Sequence, residues 1–132
     1  MKKMVFLLFV AVAMLSGCKR LATIQNHEEV PVVRYDGQSL TLEQIERAIQ
    51  LAGLNQGWVM KEVTPGHMVG TLEVRGKHRA TVDIFFDTEQ YTVQYKDSMN
   101  LRYVAPSQIH PNYNRWVATL VRYINDSIQH VE

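Results

Sequence analysis

The period of the apolar residues changes twice along this chain, and each change restricts the architecture. From Leu42 the apolar positions Leu42, Ile45, Ala48, Ile49 and Ala52 follow the three-and-four spacing of one helix face. Thr41 and Gln44 fit a reciprocal cap at the start, and Glu43 and Glu46 place negative charge in the first turn. Gly53 reads as the left-handed C-terminal cap, followed by Leu54 for the accompanying apolar contact.

From Gly57 the period becomes two. Met68, Leu72 and Val74 alternate with polar neighbours, as do Ala80, Val82, Ile84 and Phe86, and then Tyr91, Val93 and Tyr95. Strands with one apolar and one polar face predict an antiparallel sheet wetted on one side. Pairing Val74 with Ala80 leaves Gly76-Lys77-His78 as a loop, and pairing Phe86 with Tyr91 leaves Asp87-Thr88-Glu89-Gln90 as a turn. In that register the outward Phe85 lies between Thr92 and Val69. Trp58 to Val63 adds a first strand of open register, closed by Thr64-Pro65-Gly66-His67.

The 3.6-residue period returns from Pro111 to His130, with Val117, Leu120, Val121, Ile124 and Ile128 as the stripe and Trp116 beside it. Proline is well placed at a first helical position, where its missing N–H has no partner to lose. The order predicts an α+β domain: helix, three- to four-stranded antiparallel sheet, helix, with both helices on one face of the sheet.

Ahead of this domain, Lys2 and Lys3 precede an unbroken apolar run from Met4 to Leu15, and Leu15-Ser16-Gly17-Cys18 follows. Twelve apolar residues fall short of the about 20 needed to span a bilayer but suit the core of a secretion signal. The four residues resemble a bacterial lipobox, which implies cleavage before Cys18 and acylation of that cysteine. Residues 1–17 are thus expected as a lipoprotein signal peptide, 18–38 as the lipidated cysteine with a flexible tether, and 39–132 as the single domain. Val30-Pro31-Val32-Val33 is a candidate short edge strand within the tether. Lysine rather than aspartate follows Cys18, which by analogy favours the periplasmic face of the outer membrane.

Losing residues 1–17 removes Lys2 and Lys3 and leaves 12 basic against 13 acidic residues. A near-neutral chain carries no electrostatic footprint for nucleic acid, and no run of basic residues presses it against anionic headgroups. The one cysteine goes to lipid, so no disulfide is available. None of the five histidines shares a metal-ligand spacing with another, and neither a nucleophile elbow nor a phosphate-binding glycine loop occurs. No catalytic residue, metal or cofactor is assigned.

The most unusual stretch runs from Gln94 to Arg115. Tyr95, Asp97, Ser98, Asn100, Arg102, Tyr103, His110, Asn112, Tyr113, Asn114 and Arg115 crowd one strand end, one connection and one helix start. Asp97, Ser98, Asn100, Arg102, His110, Asn112, Tyr113 and Arg115 form a candidate binding surface of adaptable polar and aromatic groups. The alternative is that they satisfy the backbone of a long loop and cap the second helix. Phe85, with Val69, is a second candidate, as a contact on the outer sheet face. A small exposed patch is normal on a monomer; if this one extends, it meets a partner or is covered by the Val30 segment.

The run Gly57-Trp58, Pro65-Gly66, Val74-Arg75-Gly76-Lys77-His78, Val82-Asp83-Ile84, Tyr95-Lys96-Asp97-Ser98, Asn100-Leu101 and Ile109-His110-Pro111-Asn112-Tyr113-Asn114-Arg115-Trp116 resembles a family of small, uncharacterised proteobacterial lipoproteins. The resemblance implies an envelope lipoprotein and, since that family has no assigned activity, no catalytic residues. The expectation is a non-enzymatic interaction module that meets an envelope protein or the cell wall. The competing classes are a small-ligand binder or hydrolase at Tyr95–Arg115, and an inhibitor presenting the Thr64–His67 loop.

Overall fold

A computed structural model describes residues 20–132, so the segment expected as a signal peptide and Cys18 lie outside the described residues. The elements run β1 (Ala22–Thr23), β2 (His27–Pro31), α1 (Leu42–Asn55), β3 (Trp58–Thr64), β4 (His67–Val74), β5 (His78–Phe86), β6 (Gln90–Met99), β7 (Gln108–Ile109) and α2 (Pro111–His130). The main sheet has five antiparallel strands in the order β2-β6-β5-β4-β3, and β1 and β7 form a separate two-stranded sheet. The α+β class and the helix, sheet, helix order are as expected; the sheet is larger than expected because the N-terminal segment joins it.

That segment is the main departure. Residues expected as a tether are docked: β2 pairs with β6 through Val30↔Tyr91 and Pro31↔Gln90, and β1 pairs with β7 through Ala22↔Ile109. The expected edge strand therefore exists, displaced to His27–Pro31. Side chains complete the attachment. Asn114 Oδ1 accepts the Gln25 N–H at 3.0 Å, and its amide donates to the Thr23 carbonyl at 2.9 Å. Further along, Arg34 donates to the Val131 carbonyl at 2.7 Å, and the Gln129 amide donates to the Val33 carbonyl at 2.6 Å. A composition of Pro, Gly and charged residues looks unstructured, yet its backbone groups find partners on α2 and β6.

The alternation of the strands survives in the burial. Trp58, Met68, Leu72, Ala80, Val82, Ile84, Phe86, Tyr91 and Val93 are buried on one face, in one cluster with Ile45, Ala48 and Ile49 of α1 and Val117, Leu120, Ile124 and Ile128 of α2. The helices also touch each other. The α1 start carries the full reciprocal cap between Thr41 and Gln44, and α2 begins with Pro111 behind the N-cap residue His110.

Two local expectations need correction. Gly53 does not end α1; it lies inside the helix and is buried, and Gln56 is the C-cap. A Cβ built on Gly53 would stand 2.7 Å from Met60 Cγ, and one on Gly70 would stand 2.8 Å from Met60 Sδ. The two glycines thus open a slot between α1 and the sheet for the Met60 side chain. The second correction is the β4–β5 register. Leu72, not Val74, pairs with Ala80, and the loop is Arg75-Gly76-Lys77. Arg75 and Gly76 both take positive φ (56° and 64°), and the Lys77 N–H closes onto the Val74 carbonyl. This turn moves the pairing by two residues, which leaves every side chain on its expected face. The β5–β6 pairs Phe86↔Tyr91, Phe85↔Thr92 and Ile84↔Val93 are as read, until an irregularity between Thr81 and Val82 leaves Lys96 unpaired.

Two buried tyrosines make a paired test. Tyr91 Oη donates to Asn125 Oδ1 at 2.6 Å, whereas Tyr113 Oη is buried with no partner. Burial pushes both phenols well above their ordinary value. Tyr91→Phe should cost about 1 kcal/mol, and Tyr113→Phe should stabilise by about 1–2 kcal/mol, because the first loses a hydrogen bond and the second removes an unsatisfied hydroxyl. Urea unfolding of the two variants checks this opposition of sign.

Candidate functional site

The Gln94–Arg115 run is mostly occupied with holding itself together. Tyr95 Oη and Ser98 Oγ share a hydrogen bond of 2.8 Å, and the Tyr95 ring stacks on Tyr103 and meets Tyr113 edge-on. Asn100 takes positive φ, its amide donates to the Lys77 carbonyl, and its own carbonyl faces His78 Nδ1 at 2.8 Å. It therefore ties the end of β6 to the β4–β5 turn. The His110 N–H donates to the Leu101 carbonyl, while His110 Nδ1 accepts the Asn112 N–H at 3.0 Å. Asn112 Oδ1 in turn accepts from the Arg115 guanidinium.

Of the eight residues expected to form a binding surface, Tyr113 is corrected: it is fully buried under Tyr95. Its place in the first turn of α2 aims it at the sheet, three and four residues ahead of Trp116 and Val117. Asp97, Asn100, Arg102 and Arg115 are exposed, and Ser98, His110 and Asn112 are half-buried. The structure gathers these residues at one end of the domain, beside β1 and β7. Ser98 and His110 are drawn into separate contacts, to Tyr95 and to the α2 backbone. Gln25, Asn26 and Asn114, which pin the N-terminal segment to this region, carry no sequence signal beyond being polar.

The outer sheet face holds a constellation that the expected register concealed. Phe85 is 40% exposed and pairs with His67, not Val69; the two rings stack with centroids 4.3 Å apart. Val69 pairs instead with Asp83. His67 Nε2 lies 2.8 Å from Asp83 Oδ1, and Lys96 Nζ stands 3.9 Å from the same oxygen. The Asp83 side chain is only 14% exposed although it points outward. The carboxylate fixes the imidazole ring, and the imidazole fixes Phe85. The result is an aromatic platform of two stacked rings with a cation beside it. Val59, also exposed, continues the apolar surface along β3, where it joins Lys61, Val69 and Thr71 around a shallow depression of about 400 Å³. The β2 segment lies at the β6 edge, and Phe85 keeps its exposed face.

A third feature joins α1 to β3. Desolvation raises the Glu46 carboxyl above its ordinary value of 4.5, and a hydrogen bond to Glu62 and the charges of Glu62 and Glu43 push the same way. The folded state therefore holds this proton more tightly than the unfolded chain. Stability from this group is complete below the ordinary carboxylate range and is lost as pH rises through the raised value. Glu46→Gln should stabilise the fold at neutral pH by about 0.5 kcal/mol at this solvent-screened site, seen as a higher melting temperature, and bring no gain in acid. Thermal melts across pH test the sign.

Among the described residues no group of three or more His, Cys, Asp or Glu side chains converges as a metal site, and no helix is long and apolar enough to cross a membrane. No protein-family model matches the chain, and no curated protein or solved structure matches it either.

Proposed function

We propose that this chain is a bacterial envelope lipoprotein, acylated at Cys18 and held at the periplasmic face of the outer membrane, whose domain is a non-enzymatic interaction module. The observation that carries this reading is the order basic residues, twelve apolar residues, small residues, cysteine at the start of the chain. Acylation supplies the membrane anchor, because two chains bind stably where one binds only marginally. The resemblance to small proteobacterial lipoproteins points the same way.

The interaction surface in this reading is the outer sheet face. Phe85 is an aromatic anchor whose ring stacks on His67, a contact that lowers the side-chain freedom left to lose on binding. Val59 and Val69 extend the apolar contact, and Lys61 and Lys96 supply the polar rim. Support also comes from Tyr95, Ser98, Asn100 and His110 of the Tyr95–Arg115 run, whose side chains spend hydrogen bonds inside the domain.

The test joins anchor and surface. Cells fed an alkyne analogue of palmitate should label the native chain and leave Cys18→Ser unlabelled. A photo-crosslinking residue at Phe85 or Val59 should capture one discrete envelope component in the labelled form. Phe85→Lys should abolish the capture of that component by a probe at Val59. Absence of label refutes the anchor. Absence of an adduct from both positions, in a normally expressed and acylated chain, refutes the module.

A further inference from the structure

The near-neutral charge of the chain hides a separation that only the fold creates. The β4–β5 turn puts Arg75 and Lys77 at one end of the domain, both exposed. Asn100 binds that turn, Leu101 follows it, and the Leu101 carbonyl receives the His110 N–H. The first turn of α2, with the exposed Arg115, therefore belongs to the same end. The connection between β6 and β7 adds Arg102, together with Tyr103 (40% exposed) and Val104 (52% exposed). Its acidic residues are few: Glu73 is paired with Arg79, and Asp97 remains. The opposite end has the opposite sign. There the β5–β6 turn carries Asp87 and Glu89 and the first turn of α1 carries Glu43, while Asp36 is paired with Arg34 and Glu132 stands beside Arg47.

The chain enters the domain at the basic end. Ala22 pairs with Ile109, one residue before the α2 N-cap. Three residues lie between Cys18 and Ala22, and the four residue steps reach at most about 14 Å. An undocked tether of about 20 residues would average roughly 25 Å. Docking of the N-terminal segment thus brings the basic end within one or two Debye lengths, each about 8 Å at physiological salt, of whatever surface holds Cys18.

Resting on the lipid anchorage proposed above, we propose that this end of the domain lies directly against the anionic surface of the bilayer that carries Cys18. Arg75, Lys77 and Arg115 meet lipid phosphates, and Tyr103 and Val104 enter the headgroup layer, where amphipathic rings are favoured. The acidic end then turns toward the periplasm, and the outer sheet face stays open along the side of the domain. The anchor does not merely retain the domain; it orients it.

The test uses the acylated full-length protein, with its mass measured first, on vesicles containing phosphatidylglycerol and on vesicles of phosphatidylcholine alone. Hydrogen exchange at residues 75–77 and 102–106 should slow on the anionic vesicles only, and high salt should reverse the slowing. Arg75→Asn and Lys77→Gln, which suit their turn and leave the core untouched, should each reduce the slowing about fivefold. If the mass shows no acyl chain, the anchorage and this inference fall together. If the acylated protein floats with both vesicles and exchange is unchanged, the anchorage stands and the inference falls. Slowing of the same amides by a soluble polyanion but not by vesicles would assign the surface to that polymer and also overturn it.

Discussion

Joining residue 19 directly to Ser39, which deletes residues 20–38, should unfold the domain or leave it aggregated. Ile24, Val30 and Val32 are packed against the core, and β2 covers the β6 edge. Three half-buried side chains, the strand ladder and the bonds from Asn114, Arg34 and Gln129 together contribute about 4–6 kcal/mol. Total stabilities are about 5–15 kcal/mol, so little remains after the deletion. The exposed β6 edge then becomes a template for pairing between chains. Thermal melting and size-exclusion chromatography decide the matter. A free tether predicts a melting temperature within about 2 °C of the full chain, and that result would show the docked strands to be unimportant.

Gly53→Ala tests the slot around Met60. In an ordinary helix interior this substitution stabilises by about 1 kcal/mol. Here the new methyl would collide with Met60 Cγ, an atom too near the backbone to swing away freely. Overpacking of this kind costs about 1–3 kcal/mol, so a net loss of about 1–2 kcal/mol is expected. The decisive measurement is the same substitution in a Met60→Ala background. With the thioether gone, the helix preference should reappear and Gly53→Ala should stabilise. A reversal of sign between the two backgrounds identifies steric coupling, which no difference in helix preference imitates. Equal effects in both would dismiss the slot.

Legibility followed the range of the interactions. Helix α2 was readable to its termini, because Pro111 and the Val117–Ile128 stripe are local signals. The strand faces were readable for the same reason, since alternation survives even where register does not. The β4–β5 register was missed because it depends on Arg75 taking a left-handed conformation, which arginine seldom does. That one turn also hid the pairing of His67 with Phe85 and of Asp83 with Val69. Gly53 was misread because its role is to leave room for Met60, a residue on another element. The docking of residues 22–31 was invisible for a stronger reason: its partners lie at 90–109, and nothing local marks Asn114 as a clamp. The polar run at 94–115 stood out correctly by composition, but composition does not distinguish side chains that reach outward from those that bond to their own loop.

The pairing of the chain's first strands with some of its last sets the order in which the molecule can assemble. A polypeptide emerging N-terminus first offers β1 and β2 no partner until residues 90–109 have followed. Until then α1 and the β3–β5 meander can collect, but the sheet keeps an open side and α2 has no clamp to close. Contacts of such long sequence separation form late and slowly. The finished domain is thus sealed by the strands that left the ribosome first.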